Sequence, residues 1–344
     1  MTLHVPISIP PLPLASPTPP PAPDYLDAFL APLRPLLDLP DVTDLYVNQP
    51  GEVWMDRLGR PTSRFVVPDL TDDALWYLAR QVARVSHQGI SRAHPILSAT
   101  LPAGERMQVV APPATRGGMA IAIRKQACAA MTLADYRRSS AFAATRHSSA
   151  PADAALRGLY AAGDFAGFLG AAVKARKTIL IAGGTATGKT TFANALIREI
   201  PSDERLIAIE DTPELVFDHP NMVGLIGVRG TQGESAAGAE ALLQASLRMR
   251  PSRILLGELR GAEAFTFLRA VNTGHPGSIT TIHADSADLA VEQLALLVLE
   301  AGIKLDRADV AAYVRKVVDV FVQLDRSGGV HSVRSVEWPA GAGR

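Results

Sequence analysis

The stretch Thr178-Ile179-Leu180-Ile181-Ala182-Gly183-Gly184-Thr185-Ala186-Thr187-Gly188-Lys189-Thr190-Thr191 decides the reading of this chain. Its first five residues form an apolar strand, and Gly183 to Thr190 fit the phosphate-loop pattern G-x-x-x-x-G-K-[ST]. The next segment, Thr191 to about Glu199, reads as a helix. Glycines let such a loop curl until its N–H groups converge on an anion. The positive end of the following helix points at the same spot. Lys189 is placed to reach the outer phosphates and the Thr190 hydroxyl to hold Mg²⁺. Strand, turn and helix agree, which implies a nucleoside-triphosphate site.

Outward from the loop, strands and helices alternate. Strand Leu206–Glu210, a helix near 237–249 and strand Ile254–Glu258 follow, which predicts a parallel sheet with helices on both faces. Two of these strands end in acids. Glu258 closes Ile254-Leu255-Leu256-Gly257-Glu258, and Glu210-Asp211 closes Ile207-Ala208-Ile209. Strand ends lie beside a phosphate loop, so these carboxylates are candidates for orienting water and for holding Mg²⁺ through water. Asp211 and Glu214 also read as helix-start acids. A further strand-like run, Ser278 to Ile282, is flanked by His275 and His283. The spacing lacks the ligands of a metal site. His283 fits a hydrogen-bonding sensor of the γ-phosphate, whereas His275 reads as structural.

The N-terminal part has another character. Residues 1–23 carry Pro10, Pro11, Pro13, Pro17, Pro19, Pro20, Pro21 and Pro23, the composition of an extended or disordered tail. From Asp24 a helix, broken by Pro32 and Pro35, leads into strands at 44–48 and 52–56 and an amphipathic helix from Leu70 to Val85 with Thr71 at its N-cap. Strands at 107–111 and 119–124 complete a small α+β unit. The expected division is a tail over 1–23, an α+β domain over 24–133, a linker over 134–153, an α/β domain over 154–335 and a flexible end over 336–344.

The bulk properties narrow the classes. Lys plus Arg and Asp plus Glu number 34 each, so net charge gives no support to a global polyanion-binding role. The single cysteine, Cys128, excludes an intramolecular disulfide framework and a multi-cysteine zinc site, and reads as a small buried residue. No apolar run is long enough to span a bilayer, and no basic region precedes an N-terminal apolar stretch, so a cytoplasmic location is expected. Arginines at 248 and 250, just before the Glu258 strand, and at 106 and 124 are candidates for clamps on a transferring phosphoryl group.

In order, the phosphate loop, the acid-rich box Arg205–Leu215, the strand ending Gly257-Glu258 and the histidine box Gly274–Asp285 resemble the secretion or traffic ATPases, which are RecA-like P-loop NTPases. Tyr46–Trp54, Thr100–Arg106 and Ile121–Lys125 narrow the resemblance to the Vir-type ATPases of type IV secretion and conjugative DNA transfer, over roughly residues 40 to 325. The resemblance implies a homo-hexameric ring that hydrolyses ATP with Mg²⁺. Such a ring attaches peripherally to the cytoplasmic face of the inner membrane among other type IV secretion components, with DNA contact left open. It implies that nucleotide lies between the two domains of one subunit, with Arg106 and Arg124 reaching the phosphates and Arg248 or Arg250 near the γ-phosphate. Glu258 takes the place of the catalytic glutamate and His283 that of the sensing histidine. Ala186 departs from the family's glycine and disfavours positive φ. Alternatives of the same superfamily are a type IV pilus motor or a type II secretion ATPase. A nucleotide-dependent assembly switch is the alternative of another class. The missing four-cysteine insertion argues against the type II class, and the N-terminal strands against the pilus class.

Overall fold

The computed structural model describes residues 25–125, 137, 154–216, 218–228 and 233–339. The proline-rich stretch, Cys128, the 134–153 segment except Arg137, and residues 340–344 lie outside the described residues.

The N-terminal strands are β1 (Val42–Val47), β2 (Glu52–Arg57), β3 (Arg60–Val66), β4 (Ile96–Thr100), β5 (Arg106–Val110) and β6 (Ala120–Arg124). They form one antiparallel sheet in the order β3-β2-β1-β6-β5-β4. Proline splits the first expected helix into α1 (Tyr25–Leu30) and α2 (Arg34–Leu37), with a proline in the first turn of α2 where it removes no needed N–H. Helix α3 (Asp72–Val85) starts where Thr71 Oγ1 accepts from Ala74 N at 3.2 Å. These helices cover one face of the sheet. Leu45, Val47, Val53, Met55, Val109 and Ile121 turn toward them.

The period-two alternation of strands sends the intervening residues to the opposite face. There Tyr46, Val110, Ala120 and Ala122 join the core of the second sheet, so the two sheets share one apolar cluster. At this junction Arg205 is 4% exposed, and its guanidinium lies 4.2 Å from the centroid of the Tyr46 ring. It donates to Asn48 Oδ1 and Asn221 Oδ1, each at 2.7 Å, and to the Met249 carbonyl at 3.0 Å. Burial pushes the guanidinium down to about 10, so it remains charged at neutral pH.

The second sheet comprises β7 (Ile179–Ala182), β8 (Leu206–Glu210), β9 (Met222–Ile226), β10 (Arg253–Leu256), β11 (Ile279–Ile282), β12 (Val320–Ser327) and β13 (Val330–Glu337). Its order is β13-β12-β7-β11-β10-β8-β9, parallel throughout except for the antiparallel β12–β13 hairpin. Helices α4 (Ala154–Ala161), α5 (Phe165–Lys174) and α6 (Lys189–Ile197) lie on one face, over Ile179, Ile181, Leu206 and Ala208. Helices α7 (Ala239–Ser246), α8 (Glu263–Thr273), α9 (Ala287–Glu300) and α10 (Arg307–Val317) lie on the other, over Leu180, Ala182, Ile207 and Ile209. Both faces buried is what makes these strands read as continuous apolar runs. The last strand extends past the expected limit at 335. Trp338 follows it and packs on Tyr160 and Phe168, with ring centroids at 5.8 and 5.3 Å. Among the described residues no helix is long and apolar enough to cross a membrane.

Candidate functional site: a phosphate-loop pocket

Parallel β7 must hand its chain to a helix on one face, and residues 183–188 make that turn. Gly188 has φ +89° as the N-cap of α6, a conformation that glycine enters without a Cβ clash. Ala186 also lies in the left-handed region, at φ 60°. The alanine adopts the backbone that its methyl group disfavours, at a cost of about 1 kcal/mol. Thr187 Oγ1 donates to the Gly184 carbonyl at 2.9 Å and ties the loop across its base.

Lys189 Nζ donates to the carbonyls of Gly183 and Gly184, each at 3.0 Å, and lies 3.3 Å from His283 Nδ1. Burial lowers the pKa of this ammonium, and Glu258 acts in the opposite direction. His283 Nε2 lies 2.9 Å from Glu258 Oε1. A neutral ring protonated on Nε2 suits both neighbours, since it accepts from the ammonium and faces the carboxylate with its proton. Burial, and then the Lys189 charge, hold the His283 pKa below its ordinary value.

Five elements meet in a pocket of about 420 Å³ that contains Lys189, Thr190, Glu210, Glu258 and His283. Glu258 pairs with Arg260, whose guanidinium also reaches Asp211 at 3.3 Å. Glu210 is 5% exposed. Its Oε1 accepts from the N–H groups of Glu214 and Leu215, each at 2.8 Å, and its other oxygen pairs with Arg116. Gly257 makes room for this carboxylate, because a Cβ there would lie 3.2 Å from Glu210 Cγ. No helix starts at Asp211 or Glu214, because β8 is followed by a turn and then by β9; instead Glu214 Oε2 accepts from Thr190 Oγ1 at 2.8 Å. Asp211 accepts from the Thr212 N–H at 3.0 Å as well as from Arg260.

Arg116 and Arg260 were not among the residues singled out from sequence. Arg116 comes from the N-terminal sheet, in the loop between β5 and β6. That loop docks on edge strand β9 through Arg116 N to Gly224 O and Ile226 N to Ala114 O, both at 2.9 Å. Burial lowers the Arg116 pKa while Glu210 raises it. Arg260 had a local signal, two residues after Glu258; Arg116 had none.

The other arginines stand elsewhere in the subunit. Arg106, Arg124 and Arg248 line a separate cleft of about 530 Å³ beside β4 and β5. Arg248 Nη1 donates to Ser98 Oγ at 2.9 Å. Arg250, at φ 59°, lies 3.9 Å from Asp44 and 3.7 Å from Asp56 at the junction of the sheets. None of the four lines the phosphate-loop pocket of its own subunit. His275 is half-buried with Nδ1 2.9 Å from the Pro251 carbonyl, a structural position.

Among the described residues no group of three or more His, Cys, Asp or Glu is arranged to hold a metal ion. One hydroxyl and a few carboxylates are a donor set suited to Mg²⁺ that arrives with phosphate oxygens and keeps several waters.

Strand, loop, helix and strand-end acids define a RecA-like P-loop NTPase with an α+β domain at its N-terminal side. Comparison with known proteins places it further. The sequence profile described as "Type II/IV secretion system protein" matches residues 28–326. The type IV secretion system protein VirB11 of Brucella suis biovar 1 is 44% identical over 311 residues, covering 88% of this chain and 85% of the relative. The type IV secretion system protein PtlH of Bordetella pertussis is 40% identical over 318 residues, covering 90% and 93%. The crystal structure of the VirB11 ATPase from the Brucella suis type IV secretion system, in complex with sulphate, matches with a TM-score of 0.85 at 41% identity over 92% of this chain and 95% of that one. The chain belongs to the type II/IV secretion system protein family. Its relatives favour the type IV secretion branch over the pilus and type II alternatives.

Proposed function

We propose that this chain is an ATP-hydrolysing motor that works as a homo-hexameric ring on the cytoplasmic face of the inner membrane. There it energises a type IV secretion machine. The observation that carries this reading is the convergence of Lys189, Thr190, Glu210, Glu258 and His283 on one pocket. The type IV secretion names of VirB11 and PtlH support the setting.

ATP is the substrate. A phosphate oxygen is a stronger partner for the Lys189 ammonium than the two loop carbonyls it now holds. Thr190 would hold Mg²⁺, with Glu210 and Glu258 reaching it through water; bound there, the ion neutralises charge on the outer phosphates. Glu258 orients the attacking water and accepts its proton, and Arg260 and His283 fix the direction of its carboxylate. Arg116 pairs with Glu210 and aligns it.

Arg106 and Arg124 stand directly opposite each other in β5 and β6. Like charges in that position weaken a sheet, and an anion between them removes the penalty. Their cleft excludes the phosphate loop of the same subunit, so these two arginines, with Arg248, serve phosphates held by a neighbouring copy. Lys189→Ala abolishes steady-state ATP hydrolysis on this reading, and an unchanged rate would sink it.

A further inference from the structure

At one edge of the second sheet, β7 hands its chain to the phosphate loop and β11 hands its chain to His283. Strand β12 flanks β7 on the side away from β11, with Gln323 in register with Ala182, the last residue of β7. Gln323 is 5% exposed, and its Nε2 donates to the carbonyls of Ala284 and Leu324, each at 3.1 Å. The amide is locked in this orientation, because a flip would set its oxygen against two acceptors. Its Oε1 is left buried with no partner among the described residues. A buried acceptor left unmet costs stability, so the side chain adds little to the fold. What it fixes is the place of Ala284.

Ala284 is bonded to His283, whose ring lies 3.3 Å from Lys189 Nζ and 2.9 Å from Glu258 Oε1. That ring is half exposed, so packing alone does not hold it. The last ladder bond from β7 to β11, Gly183 N to Ile282 O, is long at 3.3 Å. Beyond it, the Gln323 amide reaches over the end of β7 to hold the histidine segment. The β12–β13 hairpin also backs the phosphate loop. His331 Nδ1 donates to the Thr187 carbonyl at 3.1 Å, and a Cβ on Gly183 would lie 3.2 Å from the Leu324 carbonyl oxygen. We propose that Gln323 is a positioning residue for hydrolysis, tying the Ala284 carbonyl to β12 so that His283 stays in register with Lys189 and Glu258. The inference rests on the ATPase reading above and adds a residue that works through His283.

The test pairs ATP hydrolysis by the full chain with amide hydrogen exchange read over residues 283–285. Gln323→Leu keeps nearly the same volume and removes the orphaned oxygen together with the two bonds. It is expected to slow single-turnover hydrolysis about tenfold or more. The KM for ATP should stay within about twofold, because the Lys189 and Thr190 contacts are untouched, while exchange at 283–285 speeds up about tenfold. In a His283→Asn background the same substitution should change the rate by less than about twofold, since the group it acts through is gone. Gln323→Met takes the place of leucine if that variant does not fold. A wild-type rate or unchanged exchange in the folded variant overturns the role. So does an equal tenfold loss in the His283→Asn background, which marks a general packing defect. If wild type and Lys189→Ala hydrolyse ATP equally, the ATPase reading fails, and the exchange at 283–285 still decides whether Gln323 holds the histidine segment.

Discussion

The phosphate-loop pocket and the arginine cleft both gather charged side chains, but their charges are arranged differently. In the first, Arg260 faces Glu258 and Asp211, Arg116 faces Glu210, and Lys189 lies between loop carbonyls and His283. In the second, Arg106, Arg124 and Arg248 line a cleft with no acid among its described lining residues, although Arg124 has Asp44 at 3.8 Å from outside it. A balanced set keeps its geometry within one subunit. A surplus of guanidinium groups is an anion site whose anion comes from elsewhere. On the proposed reading, one fold carries two halves of a hydrolytic site that do not meet within it.

The largest expected effect tests the balanced side. Glu258→Gln keeps the shape but removes the proton acceptor, so ATP still binds while single-turnover hydrolysis falls about 10²- to 10⁴-fold. Normal single-turnover rates would remove Glu258 from the chemistry. Arg116→Ala leaves the buried Glu210 charge without its counter-ion and is expected to lower stability by about 3 kcal/mol in denaturant titration. A change under about 0.5 kcal/mol would mean that the strand-end acid does not depend on the N-terminal sheet.

Arg106→Ala separates the two clefts. ATP affinity of dilute subunits should stay unchanged, while hydrolysis at concentrations that favour assembly drops about tenfold or more. Equal loss of affinity in dilute protein would return the arginine to its own subunit's loop.

A smaller effect concerns pH. The folded-state pKa of His283 is lowered, so the folded state binds its proton less readily than the unfolded state. This contribution to stability is present above the ordinary value near 6.5 and is lost as pH falls below it. The melting-temperature gap between wild type and His283→Asn should therefore be larger at pH 8 than at pH 5; equal gaps would contradict the shift. Smallest is Ala186→Gly, which relieves the left-handed strain but frees the unfolded chain. A net gain of about 1 kcal/mol or less is expected, and a loss of stability would show that the methyl group packs usefully.

Much of the phosphate-loop side was legible in the sequence because its signals are local. Residues 178–191 hold strand, turn and helix in one run, and β8, ending at Glu210, and β10, ending two residues before Glu258, place these acids at one edge by the regular direction of a parallel sheet. His283 follows from β11 in the same way. The amphipathic pattern of 70–85 gave α3, with its cap at Thr71. The β12–β13 hairpin was not read as part of the sheet. It pairs with β7 from more than a hundred residues downstream, and nothing local marks that neighbour.

The sequence by itself determined which residues can hold phosphate and which acids can serve them, since loop curvature, helix polarity and strand alternation are properties of contiguous segments. Tertiary structure alone decided the partners. Arg116 reaches Glu210 across 94 residues because a loop of the first sheet docks on the edge of the second. Arg106 and Arg124 face each other, away from their own loop, because register set them opposite in β5 and β6. His331 caps the loop because the last hairpin pairs beside β7. Each of these depends on which distant strands become neighbours, a choice made by burying whole faces rather than by any short run of residues.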